Sequence, residues 1–573
     1  VSKLRLWQVL TVYGVVLGAL CVGLSCALAI DRAPRAPVAS IVSVWVGGER
    51  RARAVSAGDP TPLLRAEGDQ PGARRVIEEV LDEAPILALS SPIFGGSFVA
   101  AVDGVKVSYR DQVAYATLDD LVKLGAYGAK YSIAGYTFSL GLRRDAVLDF
   151  LAGELHVARA ELLAEGHFVR VAMRRRVVPR TGVELSPDSE LNAELHVETL
   201  RASVLAAGHY LARSLHPDGS YRYEIDALTG DDVEGYNWPR HAGATWFLVR
   251  AASYANDPVL KAAARRAAQH LVDHSTHRCG EHECIGTGSE MNLGSAALSL
   301  LAYVELAESG IAPEFGARAQ ALSAFIRSLQ REDGEFKHIF DLELGRAVDV
   351  QKAFFAGEAA LALSRMHRLS NDPRDLRAAS RALTHLVDRP AGFVTSRYFW
   401  IAEHWTCQAM QDLWERAPNP RALEFCLQWQ ELTRNGMRAG DLAPQYDGCY
   451  APKWTGTPRT TESASRMEAG VATLIAARRA DLPAQQVKTL EQGVRRALRF
   501  LLRHQFRPGP TQLMPDPQAV HGGFPASVID LKVRIDYPQH AGAALLRYLQ
   551  LLESEAPAPA QSLAAPPRAV PQR

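Results

Sequence analysis

An excess of charge of either sign is missing from this chain. Its 573 residues set 64 Lys and Arg against 63 Asp and Glu, a formal net charge of +1. Without a concentrated basic face there is no electrostatic footprint for nucleic acid, and none is expected as a partner. The short run Arg174-Arg175-Arg176 reads as a solvated strand end. Cysteine is sparse, at 7 residues, while 47% of the chain is hydrophobic. Such a composition buries a large core and predicts more than one domain.

Long apolar runs are absent with one exception. Lys3 and Arg5 precede an uncharged stretch from Leu6 to Ile30, long enough at helical rise to cross a bilayer. It ends in Ala27-Leu28-Ala29, a small-x-small cleavage pattern. Residues 1–30 are thus expected to be a transmembrane anchor or a signal peptide. Either way the bulk of the chain is exported: inner-membrane anchored and periplasmic, or secreted if cleaved after Ala29. In that compartment disulfides persist. Cys279 and Cys284 bracket a short loop and are expected to pair. With His277 and His282 they are also weak zinc candidates, although the spacing fits no standard ligand pattern. Cys407, Cys426 and Cys449 are left without an assigned pairing, and no cofactor is predicted, a divalent metal being possible but unsupported.

What is present is a repeat. Tyr236-Asn-Trp-Pro-Arg-His-Ala-Gly-Ala-Thr-Trp246 returns as Ile535-Asp-Tyr-Pro-Gln-His-Ala-Gly-Ala-Ala-Leu545. Looser versions begin at Asn292, Phe355, His404 and Met467. The landmarks Gly243, Gly294, Gly357, Cys407, Gly470 and Gly542 fall roughly 50 to 70 residues apart, room for two helices each. Pro at the first helical turn costs no hydrogen bond, and small residues one turn further let helices approach closely. Six inner helices are therefore predicted, starting at one rim. Outer helices are expected near 190–214, 258–273, 313–330, 373–388, 420–435 and 483–504. Asp257-Pro258, Asp372-Pro373 and Asn419-Pro420 supply cap-plus-Pro starts for three of them.

The fold class predicted is mainly α: a C-terminal (α/α)6 toroid of six hairpins over 190–553, preceded by a small α+β domain over 75–180 and the N-terminal helix. Residues 31–74 read as a flexible linker and 554–573 as a disordered Pro/Ala-rich tail. Within the small domain a helix is expected over 76–87, a hairpin around Asp103-Gly104, a strand over 113–117, a short helix stopped by Gly125, a helix over 144–166 and a closing strand over 168–178. The run Asp103 to Tyr127 resembles the copper amine oxidase N-terminal-like module found beside extracytoplasmic enzymes.

Aromatic-glycine turns separate outer from inner helices: Asp218-Gly-Ser-Tyr, Asp333-Gly-Glu-Phe, Asp447-Gly-Cys-Tyr and Gly522-Gly-Phe. With the Ala-rich helices that follow, they resemble the α/α-toroid superfamily. It spans terpenoid cyclases and protein prenyltransferases and, by similar architecture, six-hairpin glycosidases, uronate epimerases and polysaccharide lyases. The resemblance implies a fold better than a reaction. Neither Asp-x-Asp-Asp nor Asp-Asp-x-x-Asp occurs, against a cyclase. The zinc spacing of the prenyltransferases is absent around Cys407, Cys449, His404 and His540.

In such a ring the inner-helix starts converge. Here they carry Tyr236, Asn237, Arg240, His241, Glu290, Lys352, Glu403, His404, Glu462, Arg466, Arg534, Asp536, Tyr537 and His540, more polarity than a core tolerates. Helix N-termini and these cations favour an anionic ligand, in an exported protein an acidic or cell-envelope polysaccharide. Abstraction of a proton next to a uronate carboxylate needs neutralisation of that group, a base and an acid. Asn237 and Arg240 are candidates to neutralise; His241, Tyr236, His540 and Glu403 are candidates to move protons. His241 is expected beside His540, because first and last units meet in a closed ring. Lyase or epimerase chemistry is the expectation. Hydrolysis by two of Glu290, Glu358, Glu403, Glu462, Glu468 and Asp536 stays open, as do a non-catalytic glycan-binding or envelope-assembly module and a cyclase-like enzyme.

Overall fold

The structure of the protein is a computed structural model that describes residues 36–57, 73–86, 98–133, 136–178, 195–388, 404–435, 444–450, 457–507 and 511–555. The segment Leu6 to Ile30 and the tail beyond 555 lie outside them, as does Glu403. Among the described residues no helix is long and apolar enough to cross a membrane.

The first domain starts earlier than its sequence suggests. Strands β1 (Ala39–Val46) and β2 (Glu49–Ser56) form a hairpin inside the stretch read as a linker. Gly47 and Gly48, both at positive φ, make its two-residue turn, where a side chain would be strained. β3 (Arg74–Pro85) occupies the stretch read as a helix over 76–87. Five consecutive residues of β3, Val76 to Val80, are buried, so both faces of the strand are covered and the alternation that would betray a strand is lost. Glu79 is buried there against Arg174 and Arg176 (2.7 Å each), and Arg175 pairs with Asp119 at 2.6 Å. The arginine run is thus an ion-pairing ladder, not a solvated strand end.

β4 (Asp103–Tyr109) and β5 (Gln112–Ala116) turn at Arg110-Asp111, not at Asp103-Gly104. A Cβ on Gly104 would strike Met173 and Ala116, so this glycine serves close packing inside a strand rather than a turn. Helix α1 (Leu118–Lys123) follows as expected, with Gly125 at positive φ behind it. Next come a separate hairpin, β6 (Tyr127–Ile133) and β7 (Tyr136–Leu142), then α2 (Arg144–Leu155), α3 (Arg159–Glu165) and β8 (His167–Val178). The single helix expected over 144–166 breaks at His156, which is left-handed. The six-stranded antiparallel sheet runs β2-β1-β3-β8-β4-β5.

Among the described residues twelve long helices then alternate. The outer set is α4 (Val197–Arg213), α6 (Pro258–Ser275), α8 (Phe315–Ser328), α10 (Pro373–Asp388), α12 (Pro420–Asn435) and α14 (Ala484–His504). The inner set is α5 (Trp238–Ala255), α7 (Leu293–Glu308), α9 (Phe355–Ser370), α11 (His404–Leu413), α13 (Thr460–Arg479) and α15 (Asp536–Glu555). Each inner helix packs on the next, and α15 packs on α5, so the ring closes. Gly243 lies against Gln539 of α15, and Gly542 of α15 against Phe247 of α5: any side chain at either glycine would collide across that seam.

A second repeated device fixes the outer layer. Gly219, Gly334, Gly448 and Gly522 sit in the aromatic-glycine turns at φ of +87°, +94°, +82° and +86°. A Cβ at each would come under 3.0 Å from a backbone carbonyl of the next outer helix: Arg266, Arg381, Arg496 and, across the closure, Ala206. Both the torsion and the contact demand glycine. Gly219→Ala is expected to destabilise the protein by roughly 2–4 kcal/mol, read from denaturant unfolding; a loss under about 0.5 kcal/mol would mean the turn is not a constraint.

The small domain docks on the toroid. Gln445 donates to the Ala101 carbonyl at 2.8 Å and the Tyr446 hydroxyl to that of Ala100. Gln512 reaches Asp119 at 2.8 Å, and Leu513 is buried in the small domain's core.

Candidate functional site in the toroid interior

Side chains that touch between non-adjacent inner helices must point at the ring axis. Several such contacts link α11 to helices that do not neighbour it. Trp246 of α5 lies 6.0 Å from Trp405, centroid to centroid; Arg547 of α15 donates to Gln408 at 2.9 Å; and the His404 and His540 rings are 5.2 Å apart, edge to face.

The two imidazoles meet on one carboxylate. Glu468, on α13 between them, is 1% exposed. Its Oε2 is 2.6 Å from His540 Nδ1 and 3.6 Å from His404 Nε2, while its Oε1 is buried without a hydrogen-bond partner among the described residues. Burial pulls the His540 pKa down, but Glu468, aided by Asp536, outweighs it and holds the imidazole above its ordinary value. Phe354 packs on His404 at 5.8 Å with φ of 74°, a left-handed torsion that no aromatic residue adopts without cost.

Most of the predicted rim residues are occupied elsewhere. Asn237 and Asn292 cap α5 and α7, accepting from Arg240 and Ser295 amides at 3.1 and 2.8 Å. Arg240 pairs with Asp536 at 3.2 Å and donates to the Tyr223 hydroxyl at 2.8 Å. Arg534 grips the same carboxylate at 2.7 Å and lies over the buried Tyr537 ring. Burial raises Asp536, yet the two arginines bring it below its ordinary value. The three groups clamp α5 to α15, and Asn237 and Arg240, expected to neutralise a carboxylate, are engaged in a helix cap and in this clamp. Arg466 lies over Tyr450, while Glu290, Lys352 and Glu462 are exposed.

His241 does not face His540, although their helices adjoin. Its Nδ1 is 2.7 Å from the Tyr236 hydroxyl and its Nε2 2.8 Å from the Ala267 carbonyl of α6, and the residue is fully buried. Burial, with His270 and His274 adding to it, drives its pKa down to about 3, and burial pushes Tyr236 up to about 12. A proton-transfer group works best near the operating pH, and His241 lies several units below it.

The cysteine loop is a hairpin of β9 (Thr276–Cys279) and β10 (His282–Thr287), closed by a Cys279–Cys284 disulfide. Thiols joined in a disulfide cannot ligate zinc, so His277, Cys279, His282 and Cys284 are not a metal site. A second disulfide, Cys407–Cys426, ties α11 to α12, and Cys449 is buried. The donor set that does converge is His404, Glu468 and His540, whose ligand atoms lie within 4.8 Å of one another.

Glu468 was only one of several sequence candidates. The signal that singles it out is register: it precedes its landmark Gly470 by the same two residues as His540 precedes Gly542.

No protein-family profile matches this chain. No curated protein matches it either. Solved structures do. A D-mannose isomerase shares 13% identity, with 63% of this chain and 98% of that one covered at a TM-score of 0.46. For a cellobiose 2-epimerase from Bacillus thermoamylovorans the values are 11%, 60%, 95% and 0.47. For an unsaturated glucuronyl hydrolase specific for heparin they are 12%, 62%, 99% and 0.44. By its own helix order and ring closure, the C-terminal part of this chain is an α/α toroid of six helical hairpins.

Proposed function

We propose that the protein is an exported, membrane-anchored carbohydrate-active enzyme that moves a proton at a sugar carbon next to a carbonyl or carboxylate, by epimerase or lyase chemistry on an acidic or cell-envelope glycan. The observation that carries this reading is the pair of imidazoles converging on one buried carboxylate inside the ring. In it, His540, held protonated by Glu468, is the acid. His404 is the base: it takes the proton from carbon, and the electron pair moves onto the adjacent oxygen. Return of a proton from His540 to the other face gives the epimer; transfer of that proton to the leaving oxygen completes an elimination. Arg250 and Arg547, both buried and both within electrostatic reach of Glu468, supply positive potential for the oxyanion that forms between these steps. Two disulfides and the apolar stretch Leu6 to Ile30 support the export part of the reading.

The test is incubation of the protein with uronate and neutral glycans in deuterated water. Deuterium at a single sugar carbon, or new ultraviolet absorbance from an unsaturated uronate, is the expected result. New reducing ends without either signal would replace this reading by a hydrolase; glycan binding with no chemistry would replace it by a binding module.

A second reading has its own observation. Two histidines and a glutamate within 4.8 Å also suit a zinc-type ion. The same buried arginines weigh against it, since a dication would add to uncompensated positive charge. We expect the purified protein to carry substoichiometric metal by elemental analysis and to keep its activity after chelation. Stoichiometric zinc, with activity lost on chelation and restored by the ion, would turn His404, Glu468 and His540 into ligands.

A further inference from the structure

We infer that the ring interior binds a small monovalent anion, a halide or a sugar carboxylate, between Arg250 of α5 and Arg547 of α15. The first ground is charge balance. Arg250 and Arg547 are 7% and 5% exposed; Arg547 feels the charges of Arg250 and Arg365, and Arg250 that of Arg365 of α9. The buried carboxylates near them have other cations at closer range: Asp412 pairs with Arg365 at 2.6 Å, and Glu468 pairs with His540 through Oε2, its Oε1 lacking a partner among the described residues. Glu305 reaches Arg250 only through space. Among the described residues neither Arg250 nor Arg547 makes an ion pair. Unpaired buried charge costs several kcal/mol per ion, which an anion relieves.

The second ground is hydrogen bonding. Arg250 stacks over Trp246 at 5.2 Å, and its Nη1 is buried with no acceptor among the described residues. Gln408, 1% exposed, accepts from Arg547 through Oε1 while its own Nε2 is buried and likewise lacks an acceptor. Two donors without acceptors beside unpaired guanidinium groups are what an anion completes in hydrogen bonding and charge together; a neutral hydroxyl accepts the hydrogen bonds but leaves the charge, and a cation relieves neither. Burial, and then the neighbouring arginines Arg250 and Arg365, draw Arg547 down to about 9, as expected where positive charge is crowded. The site stands whether or not the histidine pair above it is catalytic.

The experiment is a melting series of the wild type in chloride, in glucuronate and in glucose, against sulfate at matched ionic strength, beside Arg250→Met and Arg547→Met. A saturable rise of several degrees in chloride or glucuronate, absent with glucose and lost in either variant, is the expected result. Chloride alone marks a structural halide; glucuronate alone marks the carboxylate of an acidic substrate. Where a variant fails to fold, diffraction from bromide-soaked wild-type crystals gives the answer without it, as an anomalous peak within hydrogen-bond reach of Arg250 Nη1. Equal shifts in wild type and variants for every salt, with no bromide at that place, would overturn the inference.

Discussion

His540→Asn lowers proton exchange into the substrate by about 100- to 10,000-fold, the range that a positioned acid or base contributes. Asparagine is the informative choice because its amide nitrogen falls near the position of Nδ1, which is 2.6 Å from Glu468. The buried carboxylate keeps a donor, so the fold survives while the titrating ring is gone. Alanine would leave Glu468, 1% exposed, as an unpaired buried charge, and the roughly 3–5 kcal/mol that such a break costs would mask the chemistry. Full exchange in the asparagine variant would remove His540 from the mechanism.

The same pair sets a pH dependence whose sign is fixed by the raised His540 pKa. A histidine with a folded pKa above its unfolded value binds its proton more tightly in the folded state. The stability it contributes is fully present below the unfolded value and is lost as pH rises through the folded one. Glu468→Gln removes the charge that raises it. The variant is therefore expected to lose this alkaline decline in stability, and its rate to fall at lower pH than that of the wild type, because the acid is spent sooner. A pH–rate profile with an unmoved alkaline limb would separate Glu468 from His540.

How much of this was legible in the sequence differs between the two halves. Pro at the first helical turn, small residues one turn on and a cap before the proline are local signals, and they placed both helix layers. The toroid followed because six hairpins with Ala-Gly faces have few other ways to bury them. In the small domain, periodicity misled: β3 buries Val76 to Val80 without alternation, and its Glu79 finds Arg174 and Arg176, 95 and 97 residues away. No local pattern carries that pairing. The site was half legible. His404 and His540 stood out as residue types at helix starts, but which way each histidine faces depends on its neighbours. The equivalent positions 241 and 540 bear the same residue, and one ring meets a backbone carbonyl of an outer helix while the other meets a carboxylate across the interior. Arg240 was read as a binding group because its neutralisation by Asp536, which Arg534 already holds, appears only once α5 and α15 adjoin.

That difference between the two histidines yields the other large effect. His241→Ala is expected to destabilise the protein by roughly 3–5 kcal/mol, because it opens a cavity and strips the buried Ala267 carbonyl of its donor. It should leave the chemistry of the folded fraction unchanged within a few-fold. The sign of its pH dependence is opposite to that of His540. With a folded pKa of about 3, His241 stays neutral in the fold, while the unfolded chain takes a proton below the ordinary histidine value near 6.5. Stability is therefore lost as pH falls from there, at up to about 1.4 kcal/mol per pH unit for this one group. His504, drawn by burial to about 4, and His270, also lowered, act in the same direction, so the wild-type curve alone does not isolate His241. The difference between wild type and variant does: the wild type should lose its advantage steadily on acidification, by one proton's worth of slope. Denaturant unfolding between pH 7 and pH 4 measures it. A pH-independent difference would mean that His241 takes up its proton as readily in the fold as in the unfolded chain. Loss of all exchange activity in a variant still folded at neutral pH would return Tyr236 and His241 to the catalytic set.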